Sequence, residues 1–144
     1  MPESVKLIFP TISPRLKSEE GEKFIWDSLR GKWLVLTPEE WVRQHTIGWL
    51  VTHKGIPALR ITQEYPVKIN GLNQRADIVV MNEFAKPHIL VECKAPDVVL
   101  DHEVVMQAIR YNSIVGARYI LLTNGLKLYG YEYADGKYRG LKEF

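Results

Sequence analysis

The sequence has only one cysteine, Cys93, in 144 residues. A single cysteine excludes an internal disulfide and a zinc site built from cysteines, and a chain without disulfides suits a reducing compartment. Long apolar runs are also missing: the longest are about the length of a strand, too short to cross a bilayer, and residues 1–17 lack the pattern of a secretion signal. We therefore expect a cytoplasmic protein that makes no membrane contact.

An excess of charge of one sign is missing as well. The chain carries 19 Lys and Arg against 17 Asp and Glu, a formal net charge of +2. This balance is compatible with a phosphate-rich partner, but it is far from the dense basic footprint of a protein that binds nucleic acid by charge alone. A nucleic-acid function must therefore be argued from the chemistry of particular residues.

What is present fits one folded domain. The residues are 46% hydrophobic and 25% charged, which is ordinary for a globular protein of this length. No Gly-xxxx-Gly-Lys-Ser/Thr loop for nucleotide phosphates occurs. Four histidines are scattered without metal-ligand spacing, and we expect them to be structural or surface residues: His45, His53, His88 and His102.

Residues 1–36 are interpreted as an N-terminal extension of short elements packed on a core of residues 37–144. An apolar piece at residues 5–9 precedes a loop that contains proline and lysine. Residues 24–26 and 33–36 flank a glycine and predict a short hairpin. Its tryptophans, Trp26 and Trp33, are candidates for contact with a partner or DNA, although tryptophans are more often core residues.

The core begins with a helix. Thr37 is suited to cap it, Pro38 to its first turn, and Glu40 to the third position of a capping box. Trp41 and further apolar residues then recur at helical spacing, until Gly55 provides a stop.

Beyond this helix the pattern changes to strands with one further helix. Strands are predicted at residues 61–69, 75–81, 88–94, 119–122 and 126–133, and a helix at residues 101–115. Asn124-Gly125 predicts a tight hairpin turn between the last two strands. The order predicts an α/β fold in which helices pack on a mixed β-sheet.

Two carboxylates come together if the second and third of these strands form an antiparallel hairpin. With residues 82–87 as the loop, Met81 lies opposite His88 and Asp77 lies opposite Glu92. Opposed side chains have Cβ atoms about 4.5–5.5 Å apart, so the two charges would repel unless a cation lay between them. A divalent cation with oxygen ligands satisfies that arrangement.

Lys94 joins this pair through strand alternation. It follows Glu92 by two residues and therefore projects from the same face, about 6.6–6.8 Å further along. Asp77 and Glu92 are predicted to hold Mg²⁺, while Lys94 orients or deprotonates a water and offsets charge on a phosphate. Magnesium is preferred to zinc because no His/Cys cluster exists. The competing interpretation is two unrelated surface carboxylates, with Lys94 as an ion-pair partner of Glu92.

These residues resemble the PD-(D/E)XK nuclease superfamily and, within it, the N-terminal nuclease domain of type I restriction enzyme R subunits. The opening helix, residues 36–44, is similar to that of small stand-alone members. Ala76 stands where the family usually has proline. The matching segments are Arg75-Ala76-Asp77, Val91-Glu92-Cys93-Lys94-Ala95-Pro96, Gln107-Ala108-Ile109-Arg110-Tyr111 and Leu122-Thr123-Asn124-Gly125.

The resemblance implies a restriction-endonuclease-like core that cleaves DNA with Mg²⁺ or Mn²⁺. It implies that Asp77, Glu92 and Lys94 are catalytic, and that the two acids bind the metal. Gln107 and Tyr111, which share one helix face, are implied to support the site and contact DNA. Glu40 is a weaker candidate: members often supply an acid from the first helix, but the capping box explains this residue without a metal. Glu39 is weaker still.

The resemblance also bears on partners. A length of 144 residues leaves no room for the motor of a full R subunit, so we expect a separate specificity or motor subunit. A homodimer is a further expectation, because nucleases that cut both strands often pair their sites. The alternative function is a catalytically silent module with a nuclease fold that binds DNA or assembles with other proteins.

Overall fold

Two sheets and two α-helices make up the chain. The computed structural model describes residues 2–144, so Met1, the first residue of the predicted extension, lies outside the described residues. The helices are α1 (Pro38–Thr52) and α2 (His102–Val115), with 3₁₀ turns at Pro2–Ser4 and Ala58–Arg60. The strands are β1 (Leu16–Glu19), β2 (Glu22–Asp27), β3 (Lys32–Val35), β4 (Ile61–Ile69), β5 (Leu72–Met81), β6 (Pro87–Cys93), β7 (Tyr119–Thr123), β8 (Leu128–Ala134) and β9 (Lys137–Leu141).

The larger sheet has six strands in the order β4-β5-β6-β7-β8-β9. Strands β6 and β7 are parallel, and the other neighbours are antiparallel. A parallel pair needs a long crossover, and α2 supplies it between β6 and β7. The predicted mixed sheet with flanking helices is confirmed.

The centre of this sheet is apolar because helices cover both of its faces. Strand β6 is buried from Ile89 to Cys93. Alternate residues of the central strands face opposite sides. The side of α1 receives Ile78, Val80, Ile89, Val91 and Leu121, and the side of α2 receives Val79, Leu90, Ile120 and Leu122.

Both helices begin at the residues that the sequence predicts. The Thr37 side chain accepts a hydrogen bond from the Glu40 backbone N–H at 3.0 Å, and Asp101 caps α2 through the Val104 N–H at 3.1 Å. Helix α1 ends at Thr52, three residues before the predicted stop. Within residues 2–144, no helix is long and apolar enough to span a membrane.

Several loops differ from their predictions. Asn70 and Gly71 form a two-residue turn, with φ of 50° and 78°, so β5 begins before residue 75. Met81 pairs with Pro87 instead of His88 because a bulge interrupts the ladder. The two strands around Asn124-Gly125 first pair at Thr123 and Leu128, so that turn is a four-residue loop and not a tight hairpin.

Two strands, β1 and β9, were not predicted. Both are short and mostly exposed, with the sequences LKSE and KYRGL. Neither shows the alternation of apolar and polar residues that marks a half-buried strand. They form because a neighbouring strand offers unpaired backbone groups.

The smaller sheet, in the order β1-β2-β3, packs against α1. Its β2–β3 hairpin was predicted, and Trp26 lies opposite Trp33 in the register. Ile25 is fully buried and, with Leu34, belongs to the cluster on the side of α1. The apolar piece at residues 5–9 forms no strand, but its Leu7 and Phe9 are buried.

Candidate active site

Asp77 and Glu92 meet where the β5–β6 ladder ends. The ladder ends with the pair of Ile78 and Val91, which places the next residues, Asp77 and Glu92, opposite each other. The Asp77 backbone N–H donates to Glu92 Oε2 at 2.8 Å, and the Cys93 backbone N–H donates to Asp77 Oδ2 at 2.7 Å. Each carboxylate thus replaces one backbone bond of the ladder, which holds both acids between the strands.

Burial makes this pair electrostatically unfavourable. Glu92 is only 6% exposed, and burial, assisted by the nearby Asp77 carboxylate, raises its pKa to about 9. Burial also raises the pKa of Asp77, although the Cys93 N–H bond opposes the shift. No Lys, Arg or His within the described part of the chain forms an ion pair with either acid. A buried and a half-buried acid that lack an ion-pair partner are the expected setting for a bound cation.

Lys94 directly follows β6 and is partly buried. Its backbone N–H donates to the Thr123 carbonyl on β7 at 2.9 Å, which fixes the chain at this point. The Lys94 ammonium lies beyond ion-pair distance of the two acids, but its charge lowers the pKa of both, against the larger effect of burial. The structure therefore groups Asp77, Glu92 and Lys94, with the lysine free of a salt bridge among residues 2–144.

Helix α1 presents Glu39, and not Glu40, to this group. The pKa of Glu39 is raised by burial and then by the Asp77 carboxylate, and is lowered by Lys94, so its carboxylate is within electrostatic range of both. Glu40 instead accepts hydrogen bonds from Arg43 Nε at 3.1 Å and Gln44 Nε2 at 2.8 Å. The predicted capping box is therefore only half formed, because the Glu40 side chain turns to Arg43 and does not return to Thr37.

A sequence signal for Glu39 existed. Glu39, Val42 and Thr46 are spaced i, i+3 and i+7, so they share one face of α1. Val42 and Thr46 are fully buried, and Thr46 Oγ1 lies 3.8 Å from Cys93 Sγ at the end of β6. The face of α1 that carries Glu39 is therefore the one turned toward the strand of Glu92.

Gln107 and Tyr111 lie together on α2, as their spacing predicts. Gln107 Nε2 donates to the Tyr111 hydroxyl at 2.8 Å, and that hydroxyl donates to Gln74 Oε1 on β5 at 3.3 Å. These three residues, with Arg110, line a cleft of about 230 Å³. Among the described residues, no hydrogen bond joins these three side chains to Asp77, Glu92 or Lys94. Gln74 was missed because nothing in its local sequence distinguishes it from other strand glutamines.

Other His, Cys, Asp and Glu side chains do not complete a larger metal cluster. Within residues 2–144, no three of them converge on one point. A magnesium ion nevertheless needs only one or two protein carboxylates, because waters and substrate phosphates supply its other ligands. The two-acid set of Asp77 and Glu92 therefore fits magnesium better than a metal that is fully enclosed by protein.

Comparison with known proteins gives one family. The family model described as the type I restriction enzyme R protein N terminus matches residues 38–144, which begins at the first residue of α1. No curated protein matches the chain.

Three solved structures are similar in fold. A fragment of a candidate HsdR subunit of a type I restriction enzyme from Vibrio vulnificus YJ016 is 24% identical, with a TM-score of 0.46 over 58% of this chain and 18% of that one. The type IIG restriction endonuclease BpuSI is 21% identical, with a TM-score of 0.49 over 67% of this chain and 11% of that one. A candidate nuclease of DUF820 from Anabaena variabilis ATCC 29413 is 13% identical, with a TM-score of 0.49 over 93% and 80%. The chain thus spans less than a fifth of the first two.

Proposed function

The chain belongs to the family of the type I restriction enzyme R protein N terminus, and from this premise we propose that it is an endonuclease that hydrolyses DNA phosphodiester bonds with Mg²⁺ or Mn²⁺. One observation carries the proposal: the buried Glu92 and the half-buried Asp77 lie beside each other, and among the described residues neither forms an ion pair with a cationic side chain. Such a pair is costly for the fold, and a divalent cation bound by both would remove the cost.

In this proposal Asp77 and Glu92 hold the metal. Their oxygen donors are those that magnesium prefers, and no His/Cys set near them favours zinc. When bound, the ion supplies Lewis-acid polarisation of the phosphate and acidifies a water. The backbone N–H groups of Asp77 and Cys93 orient the two carboxylates, which fixes the donor atoms before a metal arrives.

Lys94 acts on the substrate side of the proposed site. Its ammonium has no ion-pair partner within residues 2–144, so it is available to a phosphate oxygen or to the attacking water. Glu39 lies on α1 within electrostatic range of Asp77, and in this proposal it orients a water beside that residue. Gln107 and Tyr111 support the site from α2 and contact the DNA backbone beside it, with Gln74 fixing the tyrosine hydroxyl. Glu40 is assigned to hold Arg43.

We propose that residues 37–144 form the nuclease core and that residues 1–36 are an extension packed on it. We further propose that a separate specificity or motor subunit directs the nuclease to its DNA, since its family is that of a restriction enzyme subunit. A homodimer would place two such sites for cleavage of both strands.

Cleavage of supercoiled and linear DNA, with Mg²⁺ or Mn²⁺ and with EDTA, tests the proposal. We expect metal-dependent cutting that Asp77→Ala and Lys94→Ala abolish. Lys86→Ala and Asp135→Asn are matched controls, because both residues are exposed in turns at other positions, and we expect them to cut normally. An absence of cutting in every condition, together with no calorimetric binding of Mg²⁺ or Mn²⁺, would overturn the proposal. DNA binding without cutting would favour the catalytically silent module.

A further inference from the structure

The outer face of the three-stranded sheet carries Phe24, Trp26 and Trp33, here called the aromatic row. The register places Trp26 opposite Trp33, and Phe24 opposite Lys17 and Val35. Residues between them in the strands, such as Ile25, face the core on the side of α1. The aromatic row therefore lies on the face turned away from the core, and all three rings remain partly exposed.

Two cations are interleaved with these rings. The Lys17 ammonium is 5.5 Å from the Phe24 ring centroid and 4.7 Å from that of Trp33. The Arg15 guanidinium is 5.4 Å from the Trp33 centroid and 5.0 Å from that of Trp26. Trp26 and Trp33 meet edge to face, with their centroids 5.2 Å apart. Rings and positive charges thus alternate across the face in the order Phe24, Lys17, Trp33, Arg15, Trp26.

The charge on this face differs between its two ends. Arg15 has no ion pair with any described residue, whereas the Lys17 ammonium is 2.9 Å from the exposed Glu19 carboxylate. Glu19 lies opposite Glu22 at one end of the sheet. An anion is therefore favoured near Arg15, Trp26 and Trp33, and is disfavoured at the end that carries the two glutamates.

We infer that the aromatic row, with Arg15 and Lys17, binds single-stranded DNA. Partly exposed aromatic rings can stack unpaired bases, and the cations beside them can neutralise the phosphates. A duplex keeps its base faces stacked internally, so it offers the rings nothing to bind. A proline-rich peptide would contact the rings but not the cations, and an acidic peptide would contact the cations but not the rings. Single-stranded DNA contacts both.

The choice of DNA rests on the proposed function, because the face itself does not distinguish the two sugars. The sheet is joined to β4 and α1 through Asp27 at the end of β2. Its carboxylate accepts a hydrogen bond from Gln63 on β4 at 3.3 Å and lies 3.6 Å from the Arg43 guanidinium on α1. A DNA strand bound to the aromatic row would therefore lie at a fixed position relative to α1, the helix that carries Glu39. The face also lies outside the residues 38–144 that match the family.

Binding measured in EDTA tests the inference without any cleavage. The probes are fluorescein-labelled oligothymidylate, a DNA duplex of the same length and oligouridylate, followed by fluorescence anisotropy with the full chain. We expect the single DNA strand to bind more tightly than the duplex. Trp33→Ala should weaken its binding about 5- to 100-fold through loss of stacking, and Arg15→Glu should reduce the slope of log K against log salt by about 0.7 or more.

Two controls accompany these variants. Phe84→Ala removes an aromatic side chain that is 73% exposed in the β5–β6 turn, and Asp135→Asn changes a residue in an exposed turn; both should bind the single strand as the parent does. Arg15 is exposed, so Arg15→Glu tests the face even if Trp33→Ala does not fold. Unchanged binding by a folded Trp33→Ala and by Arg15→Glu would overturn the inference, as would tighter binding of duplex or RNA than of single-stranded DNA. Loss of cleavage in Asp77→Ala bears only on the proposed function, so the two failures are separable.

Discussion

At the scale of single residues, the buried Glu92 and the half-buried Asp77 oppose folding of the metal-free chain. Asp77 and Glu92 are held by backbone N–H groups but by no cation within the described residues. Their raised pKa values mean that the folded chain keeps protons that the unfolded chain releases. A site of this kind costs stability and gains it back only when its ligand binds.

Glu92→Gln is expected to change how stability depends on pH. The pKa of Glu92 is raised from 4.5 to about 9 in the folded chain. Between those values the folded state binds the additional proton, so the free energy of unfolding falls as pH rises. Glutamine keeps an acceptor for the Asp77 N–H and has no proton to lose. The increase in Tm of the variant over the parent, measured with EDTA, should therefore grow between about pH 5 and about pH 9. Parallel curves of Tm against pH would contradict this.

Glu39 and Glu40 are adjacent, but changing each to glutamine is expected to have different effects on DNA cleavage and on stability. Glu39→Gln should slow DNA cleavage about 10- to 100-fold, as loss of a group that orients metal ligands or water does, with Tm nearly unchanged. Glu40→Gln should lower stability by about 1–3 kcal/mol, because its carboxylate pairs with Arg43, whose side chain is 5% exposed, and should affect cleavage less. Rates and melting curves of both variants decide the assignment; a reversed pattern would return Glu40 to the site.

At the scale of elements, a buried charge network joins β2 to α1 and β4. Asp27, with 1% of its side chain exposed, accepts hydrogen bonds from the Arg30 side chain at 2.8 Å and from Gln63 at 3.3 Å. Burial alone would raise the pKa of Asp27, but the bonds from Arg30 and Gln63 outweigh it and lower the pKa. The network therefore stabilises the fold at neutral pH, and this stabilisation is lost as the pH falls through the lowered pKa.

Asp27→Ala is expected to lower the free energy of unfolding by about 3–5 kcal/mol, since it leaves Arg43 buried with one partner fewer. Urea unfolding at neutral pH measures the loss. The deficit should shrink as the pH falls below 3.8 and through the lowered pKa of Asp27, where the parent carboxylate becomes protonated as well. Asp135→Asn, in an exposed turn, is the control and should unfold like the parent.

The loop between β7 and β8 depends on Gly125. Its φ is +83°, and a Cβ at this position would lie 2.7 Å from Leu7 Cδ2 and 3.1 Å from Val42 Cγ2. Gly125→Ala is therefore expected to lower the free energy of unfolding by about 1–2 kcal/mol through backbone strain. The contact of the new Cβ with Leu7 and Val42 should lower it further. Gly136 has φ +75° with nothing within 4 Å of such a Cβ, so Gly136→Ala isolates the backbone cost. Equal losses of Tm in the two variants would show that the Leu7 contact is unimportant.

At the scale of the whole molecule, residues 1–36 contribute to the main core. Leu7, Ile25 and Leu36 belong to the same buried cluster as residues of α1 and the six-stranded sheet. Phe9 is also buried, with its ring centroid 5.3 Å from that of Trp49. The extension is therefore a separate sheet by its hydrogen bonds but part of one hydrophobic core.

A chain reduced to residues 37–144 is expected to lose its cooperative melting transition. It would lack the buried side chains of Leu7, Phe9, Ile25 and Leu36. At about 2–5 kcal/mol each, their sum is as large as the roughly 5–15 kcal/mol that holds a typical domain folded. Circular dichroism and calorimetry of the shortened and full chains test this. A cooperative transition close to that of the full chain would show that residues 37–144 fold without the extension.

Some of this molecule could be predicted from the sequence alone. The starts of α1 and α2 depend on capping groups within three residues. Strands β5 and β6 are neighbours in sequence, so the pairing of Asp77 with Glu92 could be predicted from a short hairpin. Such features are local, and their signals lie in adjacent residues. The bulge at Met81 and Pro87 shifted the pairing at one end but left the pairing beside Asp77 unchanged.

What only the tertiary structure decided is how separate elements are turned toward one another. The placement of Glu39 near Asp77, the turn of Glu40 to Arg43, and the bond from Tyr111 to Gln74 all depend on how a helix lies on the sheet. The edge strands β1 and β9 likewise depend on a partner strand, because their own residues bury little apolar surface. A pattern along the chain reports which residues share a face, whereas packing between distant segments determines what that face meets.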